Sequence, residues 1–203
     1  MNLKKLYITS LLILFTFCAG AQNVKMSFGI TGGGIATQML TVPEPSSPMY
    51  INGYGGFHLT FNPAKKIGIR AEANYALQGG KYEILSVPFT LSQSYLNIPV
   101  SLLYSPKSII SLEAGFYQNI LLTAKLIEQG NTVVEVNPDD GPLRYNIGAL
   151  AGIVINVGKS FFINLRYCYG LSWSYAIMGT GYKSNAITAG IGVNLIRTKK
   201  KAF

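Results

Sequence analysis

The chain has 203 residues, 49% hydrophobic and only 12% charged, with a formal net charge of +9, 22 glycines and 13 tyrosines. So few charges beside so much tyrosine and glycine favour a β protein over a helical one. The two cysteines, Cys18 and Cys168, are too few for a disulfide framework or a cysteine-based zinc site, and the first falls in a segment expected to be removed.

That segment is the first element in chain order. Lys4 and Lys5 precede an apolar run over residues 6–19, and Ala19-Gly20-Ala21 precedes Gln22, which is the layout of a secretory signal with a small-x-small cleavage site. Residues 1–21 are therefore expected to be removed and residues 22–203 to form one domain. The run of about 14 apolar residues is shorter than the roughly 20 that a membrane-spanning helix requires. Cys18 as a lipid-bearing cysteine is disfavoured because Thr16 and Phe17 stand where small residues are needed. Export also argues against nucleic acid as a partner, despite the basic balance.

Beyond the signal, residues 26–36, 54–62, 67–78, 95–105, 109–123, 146–156, 161–171 and 185–197 alternate with period two, as strands do. In the third, Ile67, Ile69, Ala71, Ala73, Tyr75 and Leu77 share one face, and Gly68, Arg70, Glu72, Asn74, Ala76 and Gln78 share the other. The connections at 62–66, 105–108 and 156–160 are short and rich in Pro, Gly and Asn, whereas 37–53, 79–94, 124–145 and 172–184 are expected to be long irregular loops. No later stretch reaches 18 consecutive apolar residues, so a membrane protein with this sequence must be a closed barrel.

Short turns alternating with long loops define the expected fold. It is an all-β, eight-stranded antiparallel up-and-down transmembrane β-barrel, with short periplasmic turns, long extracellular loops and both termini on the periplasmic side. A soluble eight-stranded barrel also alternates, but it is polar outside and apolar inside. The uninterrupted apolar face of 67–78 is costly in water and the Arg70–Glu72 face is costly in lipid, which favours the outer membrane. Aromatics such as Phe61, Tyr104 and Phe161 near the short turns, and Tyr75 and Tyr169 near the loops, suit interfacial girdles. Pro99 lies inside the fourth strand, where it cannot donate to a ladder, and a bulge is expected to accommodate it.

Several strings carry a resemblance: Tyr95-Leu96-Asn97-Ile98-Pro99-Val100, Leu112-Glu113-Ala114-Gly115, Tyr75-Ala76-Leu77-Gln78-Gly79-Gly80 and Leu165-Arg166-Tyr167-Cys168-Tyr169-Gly170-Leu171. Over most of its mature length the chain resembles the small Bacteroidetes outer-membrane β-barrel family that includes PorT. This implies service to an assembly or secretion system such as type IX export. The chain departs from barrels that end on an aromatic strand terminus, because a basic tail, 197–203, separates the last strand from Phe203.

Charges sort by position. The short-turn end collects Lys25, Lys65, Lys66, Lys107, Lys159, Arg197, Lys199, Lys200 and Lys201 with no acid, whereas the loop end holds six acids and four bases. Such a rim suits anionic lipid head groups or a periplasmic or secretion-system protein. His58, Arg70, Glu72, Glu113 and Arg166 all fall three to five residues into their strands on the inward face, so one charge-neutral layer is expected to close the lumen, joined by Asn74, Tyr95, Asn97, Tyr117 and Asn164.

The expected function is a structural or accessory, non-enzymatic barrel, monomeric and without cofactor or metal. The second reading is a surface binding protein that uses apolar loop residues such as Phe89, Trp173 and Tyr175. A lipid-modifying enzyme ranks third. It would set His58 with Glu72 and Ser27 or Ser101, yet these residues point inward, away from lipid.

Overall fold

The computed structural model describes residues 25–41, 48–84, 87–128, 131–136, 145–158, 160–172 and 182–198. The expected signal, Lys159, Trp173, Tyr175, Lys199, Lys200, Lys201 and Phe203 lie outside these residues. Nine strands are described: β1 (Lys25–Thr41), β2 (Tyr50–Asn62), β3 (Ile67–Ile84), β4 (Val87–Tyr104), β5 (Ile110–Glu128), β6 (Asn131–Val136), β7 (Tyr145–Val157), β8 (Phe161–Gly170) and β9 (Tyr182–Arg197). All pairings are antiparallel. β1 pairs with both β2 and β9, and β4 with β5, so that eight strands close in the ring β1-β2-β3-β4-β5-β7-β8-β9. β6 lies outside the ring and pairs with the upper part of β5.

Period-two alternation aims side chains by turns at lipid and lumen. Leu165 is 53% exposed and its neighbour Arg166 only 4%. Phe57, Ile69, Leu102, Phe116, Ile163 and Ile191 continue the apolar outer face around the ring. The inner face is polar, with Thr60, Arg70, Glu72, Asn74, Ser101, Glu113, Asn164 and Arg166 all buried. This is the polarity of a membrane barrel and the reverse of a soluble one.

The regions expected as irregular loops contain more strand than their composition suggested. β3 and β4 continue to Ile84↔Val87 as a long hairpin, replacing the expected loop over 79–94. β5 runs to Glu128 and turns back into β6, where Thr132, Val134 and Glu135 sit in the expected loop over 124–145. A paired ladder satisfies backbone groups without an apolar face, so alternation that is too short or too polar for a membrane strand still forms strand above the membrane.

Pro99 also departs from expectation, because no register shift occurs there. Pairing runs to Ala71↔Val100 and resumes at Asn74↔Asn97 with the same register. The shift between β4 and β5 lies instead at Ser94/Tyr95, and another between β1 and β9 lies at Phe28/Gly29. The ladder thus tolerates the missing N–H as a local gap. Glycines divide by face as well. A Cβ at Gly33 or Gly56 would collide with the neighbouring strand's backbone, and one at Gly192 with the Phe162 ring, whereas one at Gly34 would meet only Asn52 O at 3.9 Å.

Candidate functional site

Arg166 on β8 is the hub of the lumen. Its Nε donates to Glu113 Oε2 at 2.8 Å and its Nη2 to Glu113 Oε1 at 3.0 Å. Its Nη1 donates to Glu72 Oε2 at 2.9 Å, and Nη2 also bonds Glu72 Oε1. The register explains how these groups meet. Glu113 and Arg166 both pair with Gly152, so the position between them carries no side chain and the two reach each other across it. Glu72 arrives from β3, which stands opposite β8 in the ring, so the Glu72–Arg166 pair crosses the lumen from wall to wall. The remaining carboxylate capacity is met by Asn74 Nδ2, which donates to Glu72 Oε2 at 2.9 Å, and by Ser101 Oγ, which donates to Glu113 Oε1 at 2.6 Å. Buried charges are tolerable when paired and hydrogen-bonded in this way.

Arg70 and His58 do not join that cluster. They form a second tier around Phe162: Arg70 Cζ lies 4.2 Å from the ring centroid, and the His58 ring stands edge-on at 5.1 Å. Arg70 Nε donates to Thr60 Oγ1 at 3.2 Å, and His58 Nε2 faces Asn194 Oδ1 at 3.3 Å. The expected single layer therefore divides into two sets of contacts, with His58, the register partner of Glu72, set against Phe162. Residues i and i+2 on a strand are separated by about 6.7 Å along its axis, enough to place Arg70 and Glu72 at different depths.

Of the other expected members, Asn74 joins the cluster, Asn97 donates to Asn119 Oδ1 at 2.6 Å, and Asn164 accepts from Tyr54 Oη at 3.0 Å. Tyr95 and Tyr117 are buried, and Tyr117 covers Gly148 so closely that a Cβ there would overlap its ring. Phe162, Tyr54 and Gly152 were missed by the sequence reading. The available signal was strand parity, since Phe162 shares the inward parity of Asn164 and Arg166.

His58, Glu72 and Ser101 do not form a nucleophile arrangement, because Ser101 donates to Glu113 and His58 faces Asn194. Among the described residues, no group of three or more His, Cys, Asp or Glu side chains is placed to hold a metal. At the short-turn end Lys25, Lys65, Lys66, Lys107 and Arg197 are exposed. At the loop end Phe89 is half-buried and pairs with Tyr82 and Glu128, and Lys125 Nζ bonds Glu135 Oε1 at 3.2 Å.

Known barrels share this fold. The crystal structure of the attachment invasion locus protein Ail of Yersinia pestis is 14% identical, with a TM-score of 0.52 over 86% of this chain and 98% of that one. A structure of Ail in complex with the heparin analogue sucrose octasulfate matches equally, at 14% identity and a TM-score of 0.52 over 86% of this chain and 99% of that one. Neisserial surface protein A is 15% identical, with a TM-score of 0.56 over 84% of this chain and 99% of that one. No curated protein sequence matches the chain. The family model described as an outer membrane protein beta-barrel domain matches residues 20–175. The chain belongs to that outer membrane protein beta-barrel family, and its place is the bacterial outer membrane.

Proposed function

We propose that the protein is a non-enzymatic barrel with a structural or accessory role, making its specific contacts at the two ends of the barrel. The observation that carries this reading is the Glu72–Arg166–Glu113 cluster, which commits the lumen's carboxylates to one arginine and bridges opposite walls. A lumen closed in this way is neither a pore nor a site that lipid can reach.

The basic short-turn end is the preferred contact surface, and the PorT-like strings support service to an assembly or secretion system of the type IX kind. Exposed basic residues there also attract anionic head groups, each by about 1 kcal/mol. The barrel acts as a monomer after loss of residues 1–21. Crosslinking in cells from the lysines of this end, 199–201 included, tests the role. Recovery of periplasmic or secretion-system proteins, lost when Lys199, Lys200 and Lys201 are replaced by serine, is the expected result. Recovery of extracellular factors alone, unchanged in that variant, would transfer the role to the loops.

Surface binding through Phe89, Trp173 and Tyr175 is the second reading. The Ail complex gives a precedent for ligand binding on this fold. Here, however, the loop end carries six acids against four bases, which disfavours a polysulfated ligand at that end.

A further inference from the structure

A polar cavity of about 100 Å³ opens at the short-turn mouth of the lumen. It exceeds the ~30 Å³ share of one water several-fold. Its wall includes Arg197, Ser27, Thr60 and Arg70, and the register sets these four in one transverse row: Arg197 pairs with Ser27, Ser27 with Thr60, and Thr60 with Arg70. Three strand spacings separate the outer two, about 14 Å at ~4.8 Å each, which two converging arginine side chains can bridge.

Arg70 is the unusual member. It is only 4% exposed, and among the described residues its Nη1 has no hydrogen-bond partner and no carboxylate lies within ion-pair distance of it. Glu72 and Glu113 bond Arg166 instead. Their surplus of one negative charge offsets Arg70 through space but supplies it with no hydrogen bond. A buried guanidinium in that position favours an oxyanion partner. Thr60 Oγ1 accepts from Arg70 Nε, so its own O–H is free to donate elsewhere, and the buried Ser27 hydroxyl stands beside it. No acid lines the cavity among the described residues. Lys25, Lys65, Lys66 and Lys107, all exposed around this end, raise the local anion concentration.

We infer that this cavity binds a small tetrahedral oxyanion of the phosphate or sulfate class, held between Arg70 and Arg197 with Thr60 and Ser27 as hydroxyl donors. The strand walls separate the site from lipid, so the anion enters from the periplasmic mouth and not as a head group.

The test uses the whole barrel in a phosphate-free detergent, titrated with inorganic phosphate and followed by calorimetry and ³¹P line broadening, with chloride at matched ionic strength as the control. Saturable binding of one phosphate is expected. It should weaken at least about tenfold in Arg70→Gln, the loss of a charge-assisted bond, and by a smaller factor in the more exposed Arg197→Gln. Should Arg70→Gln fail to fold, Arg197→Gln and the double variant Ser27→Ala/Thr60→Val carry the test, with the heat-modifiable band on gels reporting an intact barrel. No saturable binding in the wild type, equal binding in every variant, or binding to phospholipid vesicles without binding of inorganic phosphate overturns the assignment. Serine at 199–201 should leave phosphate binding unchanged, which separates this site from the proposed accessory role.

Discussion

Arg166 and Arg70 carry the same charge inside the same lumen, but their neighbours make them unequal. Arg166 holds two buried carboxylates in ion pairs, and Arg166→Met would leave both unpaired, a change expected to cost about 3–5 kcal/mol. Arg70→Met gives up one hydrogen bond, one aromatic contact and the longer-range offset of the cluster's surplus charge but breaks no ion pair, a smaller cost of about 1–3 kcal/mol. Urea unfolding of the refolded barrel measures both, and the reverse order would contradict the pairing assigned to them. A parallel contrast holds among glycines. Gly192→Ala forces a methyl into Phe162 and should cost about 1–3 kcal/mol, because a packed interior has no room to yield. Gly34→Ala sets its methyl at an ordinary contact distance from Asn52 O and should stay within about 0.5 kcal/mol.

A strand's energetics depend on depth as well as on face. β8 is the shortest ring strand, and Leu165 lies near its middle on the lipid side, paired with Ile153 and Ala189. Leu165→Arg would bury a charge in hydrocarbon and should cost about 2–4 kcal/mol, whereas Ile196→Arg near the end of β9 should cost about 0–1 kcal/mol. Folding into vesicles with and without denaturant distinguishes them, and equal costs would mean that the membrane band is misplaced. The same period-two pattern made the faces of β3 and β8 legible in the sequence. It did not reveal how far β3, β4 and β5 continue beyond the membrane, because strand there is held by backbone pairing and needs no apolar stripe. Pro99 likewise suggested a bulge, yet the ladder keeps its register past it, and the shift lies where Ser94 and Tyr95 meet β5.

For the whole molecule, closure brings β3 and β8 to opposite walls and makes Glu72–Arg166 a strut across the lumen. An eight-stranded barrel is just wide enough for side chains to fill it. Planar-bilayer recordings should accordingly show no stable open channel from the wild-type protein, and steady porin-like steps would contradict a closed lumen. The cavity at mid-lumen has a volume of about 30 Å³, room for about one water.

Parity, turn chemistry and composition are local, so the sequence alone determined the strand faces, the even count of membrane strands, the basic short-turn end and the membrane solvent. Which inward charges touch is not local, because it depends on the stagger of strands around a closed ring and on small residues such as Gly152 that open a path between them. Only the tertiary structure could place Arg166 between two glutamates and leave Arg70 on Phe162, beside a cavity that no carboxylate of the described residues lines.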